Sequence, residues 1–171
     1  MPSEIRGSSN FDSDSVGKVL QVVSVLTTTQ ASQTITSSDT QVGLLTKAIT
    51  PLGANSKFEV KVRWFGECTY GWSICFNIHQ DGTRVNINGQ GRGYGLAMPL
   101  LSYNNEDSST PENVNFTTLV STSSVVGTAI TFKVVADSET PRTLWNNRCF
   151  NTSSTDYERG TSELIITEIG A

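Results

Sequence analysis

Lys57-Phe58-Glu59-Val60-Lys61-Val62-Arg63-Trp64-Phe65 sets a charged side chain beside an apolar one at every step as far as Trp64. Successive side chains of an extended backbone point to opposite faces, so Phe58, Val60, Val62 and Trp64 share one face and Lys57, Glu59, Lys61 and Arg63 the other. One face meets a core and the other meets water, which is the signature of an antiparallel sheet.

The same period of two continues to either side. Residues 72–80 place Trp72, Ile74, Phe76 and Ile78 on one face, and Asp81-Gly82 then supplies a hairpin turn into residues 83–87. Residues 18–29 and 44–50 read as strands before the central one, the second ending at Pro51, and 115–121, 129–136, 142–150 and 163–169 follow it. No sustained 3.6-residue pattern competes. Eight or nine strands separated by turn signals predict an all-β domain, an antiparallel β-sandwich of jelly-roll or Greek-key type over residues 17–171, with an up-and-down β-barrel as the alternative. Residues 1–16 form a polar N-terminal arm, expected to be loose unless a neighbour orders it, and 99–115 is a long connection.

The chain has 171 residues, enough for one domain of ordinary size. Charged residues make up 16%, against about 25% in an average soluble domain, while 21 serines and 22 threonines fill a quarter of the chain. A net charge of −4 with few basic residues leaves no electrostatic grip for a phosphate backbone, so nucleic acid is not an expected partner. The most apolar run, residues 19–26, is short and broken by Gln21 and Ser24, and no membrane span or secretory leader is read from the chain. A surface poor in Lys and Glu points towards contact with other protein subunits.

Candidate chemistry is sparse, and neither an enzyme nor a cofactor is expected. His79 and Asp81 superficially offer a base and its carboxylate, but nothing nominates a nucleophile. Cys68, Cys75 and Cys149 lack paired ligand spacing, and His79 is the single histidine, so they read as small buried thiols rather than metal ligands. The alternating glycines Gly89, Gly91, Gly93 and Gly95 precede no helix that could hold a phosphate. The carboxylates Asp12, Asp14, Glu106 and Asp107 lack a calcium-loop spacing. Trp64 and Trp72 fall on apolar faces, whereas Tyr94, Tyr103 and Trp145 are the surface candidates for stacking on a host glycan.

Four stretches carry a resemblance: Gly17-Lys18-Val19-Leu20-Gln21-Val22-Val23, Leu45-Thr46-Lys47-Ala48-Ile49-Thr50-Pro51, Ser56-Lys57-Phe58-Glu59-Val60-Lys61-Val62 and Leu164-Ile165-Ile166-Thr167-Glu168-Ile169-Gly170. In that order and spacing they resemble a family of small virion proteins of tailed bacteriophages, many from viruses of cyanobacteria and other aquatic bacteria. Phe58 stands where such proteins often carry a smaller aliphatic. The resemblance implies a β-sandwich virion component, usually a homotrimer, made in the host cytoplasm and serving as a capsid cement or decoration protein or as a tail-fibre tip. A domain and an arm without a shaft lead to the expectation of a cement protein bound to the major capsid protein. Ile5, Arg6, Phe11, Asp12 and Asp14 of the arm are its expected contact residues.

Overall fold

The computed structural model describes residues 17–86, 94–99, 110–153 and 156–171. The alternating stretch forms β4 (Lys57–Cys68), running past Phe65 to Cys68, with Phe58, Val60, Val62 and Trp64 buried as the alternation predicts.

β4 organises the larger sheet. One of its edges pairs along almost its whole length with β7 (Glu112–Ser121). Its other edge is shared by two strands laid end to end: β10 (Ser162–Ile169) against residues 57–63, and β9 (Arg142–Asn146) against residues 66–68. Outside these lie β1 (Val19–Thr27) on β10 and β2 (Ala31–Ile35) on β9. The second sheet runs β3 (Thr40–Ile49), β8 (Ile130–Ser138), β5 (Ile74–Gln80) and β6 (Thr83–Arg84). Counting β1 with β2 and β9 with β10 as single rows gives eight rows in two antiparallel sheets, ordered 1-8-3-6 and 2-7-4-5. That interleaving is a jelly roll.

The switch of β4 from β10 to β9 falls at Gly66, where a Cβ would come within 2.1 Å of the Trp145 carbonyl, so only glycine fits. Between the sheets, Phe58 packs on Phe132 at 5.6 Å and Trp64 on Phe76 at 5.3 Å between ring centroids. These tilted aromatic pairs clamp the two layers.

Two expectations are corrected and one strand is added. The backbone over Gly71–Ser73 makes a 3-10 turn, so β5 starts at Ile74 and residue 72 is not in a strand. The strand expected over 142–150 stops at Asn146, because Asn147 adopts φ 60°, a left-handed conformation that asparagine tolerates better than most residues. Residues 31–35, between the strands expected over 18–29 and 44–50, form β2. The Gln33 amide holds this strand to the other sheet by donating to Gln41 O (2.7 Å) and accepting from Gly43 N (2.8 Å).

Candidate interaction surfaces

The loops at one end of the sandwich are built around Glu168. Alternation along β10 puts this carboxylate on the same face as the core residues Leu164 and Ile166, and it is fully buried. It accepts hydrogen bonds from Leu52 N (2.9 Å), Gly53 N (2.9 Å), Ser56 Oγ (2.7 Å) and Gln21 Nε2 (2.6 Å). Burial acts to raise its pKa, but the donors from Gln21, Gly53, Ser56 and Leu52 outweigh it and hold the carboxyl below its ordinary value. The result is an anionic rivet under the loop that follows β3.

That loop is stitched in turn to the one between β7 and β8. Ser124 Oγ donates to Gly53 O (3.2 Å) and accepts from Ser56 N (2.9 Å), Asn55 N donates to Ser124 O (3.1 Å), and Gly127 N donates to Pro51 O (3.2 Å). The two loops together hold up three exposed apolar side chains, Leu52 (61% exposed), Val125 (62%) and Val126 (55%). The chain enters the fold at this same end, where Gly17 N bonds Gly170 O and Gly170 N bonds Lys18 O, both at 2.9 Å. A rigid apolar tip beside the root of residues 1–16 is therefore the best-formed candidate contact surface. The sequence held a signal for it: within β10, Glu168 is the charged residue that falls at a core position.

The expected contact residues Ile5, Arg6, Phe11, Asp12 and Asp14 lie outside the described residues, as do Tyr103, Glu106, Asp107 and Gly89 to Gly93. Of the glycan candidates, Tyr94 is 55% exposed and its carbonyl accepts from Arg84 at 3.4 Å. Trp145 is corrected. It is buried, because β9 lies between β4 and β2 and Phe150 folds back over the outer face, ring centroids 4.8 Å apart. Its ring face is thus already taken.

His79 does not pair with Asp81. Its Nε2 lies 2.7 Å from Asp39 Oδ2, while Asp81 Oδ1 accepts from Thr131 N at 2.8 Å and so pins the hairpin turn. Arg84 donates to both Asp39 oxygens, at 2.7 and 2.6 Å, and also to Asp137. Burial works against the charge on Asp39, but Arg84 and His79 overcome it and lower its pKa. The buried Asp137 is raised, chiefly by burial, with Arg84 opposing. This arrangement ties the segment before β3 to the β5–β6 hairpin. Asp39 gave no sequence signal, lying in a stretch of hydroxyl residues.

The three cysteines are buried and free, so Cys68 and Cys75 do not bridge. Burial pushes all three thiols up, Cys149 to about 12, which leaves them poor nucleophiles and poor metal ligands. Among the described residues no group of His, Cys, Asp and Glu is arranged to hold a metal ion. Where the first row breaks between β1 and β2, a slot of about 190 Å³ opens between Thr27, Leu44 and Ala31 and reaches the Trp64 ring. Its polar lining is already engaged: Trp64 Nε1 donates to Asn146 Oδ1 (2.9 Å) and Ser162 Oγ to Asn147 Oδ1 (2.6 Å).

Comparison of the chain with protein-family models and with curated protein sequences finds no match to it.

Proposed function

We propose that this chain is a structural component of a tailed-bacteriophage virion, a capsid cement or decoration protein that binds the outer surface of the head and holds neighbouring capsomers together. The reading starts from the phage-like order of the four framework stretches. The observation that carries it further is the stitched apolar tip, with Leu52, Val125 and Val126 standing beside the entry point of the arm. Tip and arm together offer two contacts at one end of the molecule, and contacts that are weak singly retain strongly when linked. A homotrimer, as the resemblance implies, multiplies that linkage.

The test is attachment. Particles lacking the protein, given back wild-type chain, should be decorated at a stoichiometry comparable to the major capsid protein and gain heat resistance. Chain lacking residues 2–16, or carrying Val125→Ser with Val126→Ser, should bind weakly. Undiminished occupancy with both variants would overturn the reading. A tail-fibre tip that recognises host glycan is the second reading, supported by the exposed Tyr94. It predicts instead a few copies per particle and inhibition of phage adsorption by purified protein.

A further inference from the structure

The jelly roll leaves sheet edges open, and the edges are treated differently. The β2 edge is tied across to β3 by Gln33. On the β7 edge, Asn86 Nδ2 donates to Leu119 O (3.1 Å), closing part of the strand. β1 has one such tie, at its start, where Gln21 Nε2 donates to Thr50 O (2.7 Å), and none from Val22 onward. It pairs with β10 alone, and among the described residues the outward-facing backbone of 20–27 has no hydrogen-bond partner. Soluble proteins blunt such edges with Lys, Pro or very short strands. β1 is nine residues long and contains neither a charge nor a proline. Val22 and Leu26 stand 57% and 56% exposed on its solvent face, with Ser24 between them.

We infer that β1 is a self-pairing edge, and that two copies of this chain join antiparallel along it about a twofold axis through Ser24. The strand is complementary to itself in that register. Face must be kept when strands pair, because a one-residue slip turns every side chain over. Centring on Ser24 sets Val22 of each copy against Leu26 of the other on the outer face, and Val23 against Val25 on the inner face. Both exposed apolar side chains of each copy are then covered by the other. Charge permits the approach: on the outer face the seam is flanked by Ile165 and Thr167, and the nearest carboxylate, Glu163, already faces Arg63 at 3.8 Å. Joining the edges makes one continuous sheet from two four-row sheets. The contact belongs to the chain alone and does not rest on the virion reading.

The register makes the test specific. In sedimentation, wild-type protein should show concentration-dependent pairing: a dimer, or, where the chain is already the homotrimer proposed above, two trimers joined. Ser24→Cys should oxidise to a disulfide-linked dimer, because it meets itself across the axis, whereas Thr117→Cys, exposed on the same sheet face but on β7, should not. Val22→Lys with Leu26→Lys, checked for native circular dichroism, should abolish the pairing. A wild-type chain that stays monomeric or trimeric at its highest soluble concentration overturns the inference. So does any oligomer in which Ser24→Cys cross-links no better than Thr117→Cys, since the contact then lies elsewhere. The cysteine and wild-type measurements decide the matter even where the double lysine variant fails to fold.

Discussion

The two ends of the sandwich each bury glutamate, and they treat it in opposite ways. At the tip, Glu168 sits alone among four donors and is held ionised. At the other end, Glu67 on β4 and Glu112 on β7 lie close enough to feel each other's charge, and burial outweighs the donors they have. Glu67 accepts from Phe150 N (2.7 Å) and Thr110 Oγ1 (3.3 Å), and Glu112 from Cys68 N (3.0 Å). Burial raises both, and for Glu112 the neighbouring Glu67 charge adds to it, so that its pKa is pushed up to about 8. A buried carboxylate stays ionised only where the donors aimed at it outweigh the cost of its burial.

The largest effect is expected from removing the rivet. Glu168→Ala strands the donors of Leu52, Gly53, Ser56 and Gln21, and should cost about 3 kcal/mol or more in urea denaturation. A loss below about 1 kcal/mol would mean the loops hold themselves.

Next come the pH profiles, where the two ends should separate. Glu168 is lowered, so its contribution is present above the ordinary carboxyl pKa and is lost as pH falls. Glu112 is raised, so its favourable contribution is complete below about 4.5 and is lost as pH climbs through about 8. Glu168→Gln should therefore flatten the acid limb of the stability curve, and Glu112→Gln should flatten the alkaline limb and stabilise the protein by about 1–2 kcal/mol at pH 9. Glu112→Gln destabilising at that pH would contradict the carboxyl-pair picture.

A smaller change tests the far end's aromatic lid. Phe150→Ala uncovers Trp145 and should cost about 1 kcal/mol, with a red-shifted indole emission. The smallest belongs to the tip surface. Val125→Ser with Val126→Ser should change stability by no more than about 0.5 kcal/mol while weakening attachment to particles, because those side chains touch no core. A large loss of stability there would show that the tip is structural rather than a docking surface.

The strands read most directly from the sequence are those whose alternation is enforced by burial on one side only. β4 is the clearest, and β7 and β10 follow the same logic, with Val114 and Leu164 on the inner face, whereas β5 and β8 also bury Cys75, Asn77, Val135 and Asp137 on their other face and are read from their apolar content. β2 escaped because Ala31-Ser32-Gln33-Thr34-Ile35 owes its conformation to β9 and to one glutamine side chain reaching across the edge, a tertiary cause without a local pattern. Trp145 misled for a related reason. Its neighbours Asn146, Asn147 and Arg148 look like surface residues, yet both asparagines spend their amides inside the fold, on Trp64, Gln33, Thr29 and Ser162. The candidate surfaces were less legible still, since Leu52, Val125 and Val126 meet only through the loop stitching around Ser124.

The pairing of β1 with β10 also has a kinetic side. Val19 lies against Ile169 and Thr27 against Ser162, so the strand formed first along the chain finds its partner only after nearly all the rest has been made. Such distant pairings slow folding and leave early strands unpaired for longer. Until β10 arrives, β1 carries two open edges instead of one, both uncharged and rich in valine. Yield of native protein should therefore depend more steeply on temperature and concentration during synthesis than its final stability suggests, with the Val19–Thr27 segment as the seed of any aggregate.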